Sequence, residues 1–101
     1  MKQPDTNIKL IVGLGNPGER YARTYHNAGS LALDSLLKIF DASPLRAHPK
    51  FSYAYTTYRG IVLAKPLLSM NESGRAVYEM RRRLRCRPHN ILVLHDDSDL
   101  P

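Results

Sequence analysis

Of 101 residues only one is a cysteine, Cys86, so no internal disulfide can form and a small oxidised secreted scaffold is excluded. Long apolar runs are missing too. The longest, such as Leu10 to Leu14 and Ile91 to Leu94, fall far short of the roughly 20 residues of a membrane-spanning helix. The leader Met1 to Asn7 is polar and lacks the apolar centre of a signal peptide. Together these point to a reducing compartment: the cytoplasm, or the mitochondrial matrix in a eukaryote. Short repeats and long heptad runs are absent, which excludes collagen, low-complexity and coiled-coil chains. Acidic residues are scarce, 9 against 15 Lys and Arg, and the net charge is +6 with a pI near 9.8. That balance favours an anionic partner such as nucleic acid without establishing one.

What is present fits one α/β domain spanning residues 1–101, undivided by any linker. Lys9 to Leu14 reads as a short buried strand, followed by a glycine- and proline-bearing loop to Asn27. Leu33, Leu36, Leu37 and Phe40 recur at helical spacing, predicting a helix from about Asn27 to Phe40, with Asn27 as its cap and Ser43-Pro44 as its stop. Phe51 to Tyr58 and Ile61 to Ala64 flank the turn signal Arg59-Gly60 and predict an antiparallel hairpin closed by Pro66. Val77, Met80 and Leu84 predict a second helix from Ser73 to about Arg85, with Arg75, Arg81, Arg82 and Arg85 on its opposite side and Pro88 ending it. Ile91 to Leu94 is a final buried strand. The order β-α-β-β-α-β implies a three-layer-like sandwich around a mixed, mostly parallel sheet, in which the hairpin partner alone runs the other way.

Gly13-Leu14-Gly15-Asn16-Pro17-Gly18 satisfies the G-x-G-x-x-G pattern of dinucleotide-binding turns. That fingerprint needs its third glycine to open a helix whose amides hold pyrophosphate, and an acidic residue ending the second strand. Here Pro17 interrupts the loop, the helical stripe starts about ten residues later, and Asp34 and Asp41 lie within and at the end of the helix. A tight turn at a strand end is the better reading, and such turns are where α/β proteins build sites.

Four polar residues stand at or just past predicted element ends: Asn16, His26, Asn71 and Asp96. Parallel neighbouring strands would gather them on one rim. An imidazole titrates near neutrality and can take a proton from water. A carboxylate on its other nitrogen fixes the tautomer, and carboxamides both donate and accept. Each also has an ordinary structural explanation, such as a helix cap for Asn71 or a solvated turn for Asp96, Asp97 and Asp99. The serines lack a G-x-S-x-G setting. The arginine side of the second helix is either a solvated face or a grip for phosphates. These residues alone leave a hydrolase and an RNA-binding domain both open.

Three motifs carry a more specific likeness. Leu10 to Gly18 with Tyr21, Thr24 and His26-Asn27-Ala28-Gly29 resembles the N-terminal signature of the bacterial-type peptidyl-tRNA hydrolases. Lys65-Pro66 with Met70-Asn71-Glu72-Ser73-Gly74 and Val77 resembles the second motif of that family, and Ile91 to Pro101 the third. The resemblance implies an α/β sandwich and a monomeric, single-domain enzyme that uses no metal or cofactor. Its reaction would be hydrolysis of the ester joining a peptide, or another N-blocked aminoacyl group, to the 3′ end of tRNA. His26 then matches the general base and Asp96 the carboxylate that orients it. Asn16 and Asn71 match the amides that position substrate and water, while Tyr21 and Met70 match pocket-lining positions. Two positions depart from the pattern: Tyr25 replaces the usual Arg, and Ser69 the usual aromatic residue before the Met-Asn pair. The chain also ends where the family continues, so the domain is expected to be incomplete at its C-terminus. A non-catalytic RNA-binding module on the same scaffold, or an inactive truncated form, is the alternative.

Overall fold

A computed structural model describes residues 7–15, 28–67 and 72–95. The elements are β1 (Leu10–Gly13), α1 (Ala28–Phe40), β2 (Arg46–Ala47), β3 (Tyr53–Tyr58), β4 (Ile61–Pro66), α2 (Ser73–Leu84) and β5 (Ile91–Leu94), with a 3-10 turn at Pro88–Asn90 before β5. They form one sheet in the order β2-β3-β4-β1-β5. β1 pairs in parallel with both β4 and β5, whereas β2–β3 and β3–β4 are antiparallel. Four strands therefore share one direction and β3 alone opposes them, the polarity expected from the sequence.

The layers follow from the two-residue alternation of β1. Leu10 and Val12 face one side and pack with Ala64, Tyr53 and, from α2, Ala76 and Met80. Ile11 faces the other side, where Leu63 and, from α1, Leu33 complete the core, with Leu36, Leu37 and Phe40 packed against it. A sheet with a helix on each face is the three-layer arrangement, and the helical stripes read from the sequence are the faces that are buried.

Three details differ from the sequence reading. A short extra strand, β2, adds an antiparallel edge to β3. Its two residues are both exposed, so they carry no burial pattern to detect. Strand β4 runs through Pro66 and not merely up to it. The Leu67 amide donates to the Ser52 carbonyl at 2.8 Å, which puts Pro66, opposite Tyr53, at a non-hydrogen-bonded position of the β3–β4 ladder. On its other side β1 pairs only as far as Ala64, so the missing N–H breaks no ladder bond. Finally, α2 stops at Leu84, four residues before Pro88. Arg85 takes a left-handed conformation (φ 53°, ψ 40°), and the Cys86 amide reaches back to the Arg81 carbonyl at 3.1 Å. This is a Schellman-type ending. Pro88 instead opens the 3-10 turn.

The hairpin turn behaves as read. Tyr58 pairs with Ile61, and Arg59 and Gly60 both have positive φ (47° and 82°), which suits the right-handed strand twist. At the amino-terminal end of the sheet, Asn90 is 1% exposed. Its side-chain amide donates to the Asn7 carbonyl (2.8 Å) and its side-chain oxygen accepts from the Arg87 amide (3.0 Å). The Asn90 carbonyl accepts from Lys9 (2.8 Å), which ties the starts of β1 and β5 together.

Candidate active site

The carboxyl ends of β1, β4 and β5 form one rim because these strands are parallel and adjacent. Gly13 lies opposite Leu94, and Val12 opposite Ala64. Beyond the strands, the Leu14 amide donates to the Leu94 carbonyl at 2.9 Å, and the Ser30 amide in the first turn of α1 donates to the Leu14 carbonyl at 3.0 Å. The start of α1 is thus seated directly on the ends of β1 and β5.

Two glycines make that seat. A Cβ at Gly29 would stand 2.8 Å from the Leu14 carbonyl oxygen, 2.5 Å from the Leu94 carbonyl carbon and closer still to the Leu94 oxygen. One at Gly13 would meet the Gly29 carbonyl oxygen and the Leu33 Cβ, each at 2.7 Å. Helix and strand touch backbone to backbone, a distance only glycine permits. The first glycine of the G-x-G-x-x-G pattern therefore serves helix–strand packing, and the first helix after the pattern among the described residues begins at Ala28. Gly29 is also the last residue of the His26-Asn27-Ala28-Gly29 motif.

The candidate residues themselves, Asn16, Tyr21, His26, Met70, Asn71 and Asp96, lie outside the described residues, as does the proposed cap Asn27. Their points of attachment do not. Asn16 follows Gly15 just beyond β1, and His26 precedes by two residues the helix start seated on the rim. Asn71 directly precedes Glu72 and α2, in the connection that leaves β4 at Pro66. Asp96 directly follows His95 beyond β5. All four segments join the described structure at or next to this rim.

Near the rim, Lys65 of β4 donates to Asp34 of α1 at 2.6 Å, a pair between the sheet and its covering helix that no periodicity suggests. Asp34, no acidic partner for a ribose, is committed to this lysine. A second tie joins α2 to the segment before β3. Glu79 accepts from the Ser52 amide (3.2 Å) and hydroxyl (2.8 Å), and Arg83 lies 3.7 Å from it. Burial pushes the Glu79 carboxyl up, but the two Ser52 hydrogen bonds and the Arg83 and Arg75 charges outweigh it, so it titrates below its ordinary value. Burial raises the Cys86 thiol, with Lys9 opposing weakly, so Cys86 is no activated nucleophile. Among the described residues no three His, Cys, Asp or Glu side chains gather as a metal-binding group, and no helix is long and apolar enough to cross a membrane.

The sequence model of the peptidyl-tRNA hydrolase family matches residues 10–101. The chain belongs to the peptidyl-tRNA hydrolase family. It is 50% identical over 99 residues to a peptidyl-tRNA hydrolase of Salmonella paratyphi B, a match covering 93% of this chain and 50% of that protein. With the peptidyl-tRNA hydrolase of Aquifex aeolicus it shares 42% identity over 102 residues, covering 94% of this chain and 50% of the relative. The crystal structure of peptidyl-tRNA hydrolase from Acinetobacter baumannii is similar with a TM-score of 0.85 and 36% sequence identity, over 98% of this chain and 52% of that one. The chain spans about half the length of the relatives it matches.

Proposed function

We propose that this chain carries the hydrolytic centre of a peptidyl-tRNA hydrolase, built from His26, Asp96, Asn16 and Asn71 on the carboxyl rim of the sheet. The observation that carries the reading is that rim: the ends of β1 and β5 and the start of α1 are held together by the Leu14–Leu94 and Ser30–Leu14 hydrogen bonds. In the sequence His26 lies two residues before Ala28 at the start of α1, and Asp96 two residues after Leu94 at the end of β5, so both attach to this rim. Membership of the family supports the substrate class.

In the proposed reaction the His26 imidazole takes a proton from water, and the resulting hydroxide oxygen attacks the carbonyl carbon of the ester. Asp96 holds the imidazole in the tautomer that leaves its basic nitrogen toward the water and stabilises the cation that forms. Asn16 and Asn71 hold the water and the ester by donating and accepting hydrogen bonds, so that the nucleophile arrives in line. Collapse of the tetrahedral intermediate expels the 3′ oxygen of tRNA, which takes the proton back from His26. Tyr21 and Met70 serve as pocket-lining residues for the substrate. In this reading the centre needs no metal or cofactor and belongs to a single-domain monomer of the cytoplasm, or of the mitochondrial matrix in a eukaryote.

The test is the time course of peptide release from purified peptidyl-tRNA by the 101-residue chain and by its His26→Ala variant. A general base contributes about 10²–10⁴-fold, and a loss of that size is expected. Equal rates would refute the assignment, and salt-sensitive tRNA binding without release by either protein would make the chain a binding module instead.

A further inference from the structure

Helix α2 carries one face that its packing does not explain. Its core side, Ala76, Val77, Met80 and Leu84, is spent on the sheet. At 100° per residue, Arg75, Tyr78 and Arg82 fall within one narrow stripe directly opposite, Arg85 in the left-handed ending lines a groove with Tyr78 and Arg82, and all four are exposed. The helical part of the stripe, Arg75 to Arg82, runs about 10 Å and starts in the first turn of α2.

Two shallow grooves flank it. One, of about 470 Å³, is lined by Arg75, Tyr78, Glu79, Arg82 and Arg83. The other, of about 360 Å³, is lined by Tyr78, Arg81, Arg82, Arg85 and Cys86. Tyr78 and Arg82 form the ridge between them. The Arg82 guanidinium stands 5.9 Å from the Tyr78 ring, which is 57% exposed. Among the described residues Glu79 is the sole acidic one lining either groove, and its carboxylate is already held by Ser52.

The arginines divide by what they do. Arg83 stacks over Phe51 at 4.2 Å beside Glu79, and Arg81 donates to the Cys86 carbonyl at 3.3 Å, so both brace the helix and its ending. Arg75, Arg82 and Arg85 make no ion pair among the described residues. A helix C-terminus welcomes one or two cations, but stacked like charges at i, i+3 and i, i+4 repel. Arg75, four residues before Glu79, helps lower the titration of that carboxyl, whereas the fold gains little from Arg82 and Arg85, and the arrangement of the three around an exposed ring suits a polyanion.

We infer that this stripe is a docking surface for the sugar-phosphate backbone of RNA, and that it holds the body of the tRNA whose 3′ end occupies the rim. Guanidinium forks grip phosphate oxygens two at a time, and a ridge of Tyr78 and Arg82 presents a flat face to ribose or base. A membrane surface is disfavoured, because among the described residues the only large hydrophobic side chain exposed on α2 is Tyr78, with no aliphatic one to enter lipid. The identity of the RNA rests on the hydrolase reading; the surface itself does not.

Fluorescence anisotropy with labelled deacylated tRNA tests it on the full chain and needs no hydrolysis. Between about 50 and 200 mM salt, the Arg82→Glu/Arg85→Glu variant should bind at least tenfold more weakly, and its salt slope should fall by about two. The neutral Arg82→Gln/Arg85→Gln variant should lose affinity in the same direction, and Arg82→Lys/Arg85→Lys should retain most of it. Matching thermal melts of the variants exclude unfolding as the cause. Unchanged affinity and slope in the charge-reversed protein would overturn the proposal, as would equal binding of polyglutamate by the parent chain. Loss of peptide release in His26→Ala with normal tRNA binding bears on the hydrolase reading alone.

Discussion

Replacing Gly29 by alanine tests how the rim is assembled. The new methyl group would be 2.8 Å from the Leu14 oxygen, 2.5 Å from the Leu94 carbonyl carbon and nearer still to the Leu94 oxygen, all of them backbone atoms that no rotamer change can move. Relief requires the first turn of α1 to retreat by about 1 Å, because protein interiors have no slack of that size. The retreat stretches the 3.0 Å bond from the Ser30 amide to the Leu14 carbonyl, worth about 0.5–1.5 kcal/mol. It also loosens Leu33, which is fully buried against Ile11 and Leu63. Overpacking of this kind costs about 1–3 kcal/mol. The total, about 2–4 kcal/mol, corresponds to a fall in melting temperature of roughly 10 °C or more for a domain of this size. Alanine is a better helix former than glycine and would return about 1 kcal/mol at an unhindered site. Gly74, whose added Cβ meets nothing within 4 Å, supplies the control, and Gly74→Ala should stabilise or be neutral. Thermal melts of both variants by circular dichroism decide it. A Gly29→Ala protein melting within 2 °C of the parent, or a Gly74→Ala protein falling as far, would refute the close-contact argument (~1 kcal/mol corresponds to several degrees here).

Three further outcomes follow from individual contacts. Lys65→Met removes the partner of Asp34 at a half-exposed site, so a loss of about 0.5–1 kcal/mol in urea titration is expected, shrinking in high salt. Because the folded Glu79 carboxyl titrates below its ordinary 4.5, its stabilisation is complete above that value and is lost as pH falls through the lowered one; Glu79→Gln should therefore flatten the acid side of the stability–pH curve and leave little pH dependence from this site. Met80→Ala empties a fully buried position between α2 and the sheet and should cost about 2–5 kcal/mol, read as a lower urea midpoint at unchanged slope.

The parts of the fold that were legible are those whose side chains report burial. β1 is continuous apolar sequence and is buried throughout, and the two helices show their stripes because each buries one face against the sheet; β5, equally apolar and read as a buried strand, lies instead at the edge of the described sheet with Leu92 exposed. The hairpin was readable from Arg59-Gly60, a pair suited to the positive φ values its turn adopts. What escaped depends on backbone geometry or partners distant in sequence. Arg46–Ala47 joins the sheet with both side chains exposed, so nothing in its pattern marks a strand. Pro66 reads as a strand breaker, and only the register with Tyr53 reveals that its missing donor is not needed by the β3–β4 ladder. The Asp34–Lys65 pair spans 31 positions and the Glu79–Ser52 tie 27, separations across which single-sequence reasoning has no period to follow. For the site, the rim was legible from strand order, and Gly29 supplies the reason it is tight, although its motif gave no sign that it would be a contact point.

The central claim is that His26 and Asp96 act as one unit across this rim, and a double-mutant cycle on peptide release measures it most directly. Rates would be compared for the parent chain, His26→Ala, Asp96→Ala and the double variant. The account predicts that the double variant is scarcely slower than His26→Ala alone, because a carboxylate that works through the imidazole has nothing left to orient. Independent losses that multiply in the double variant would contradict it.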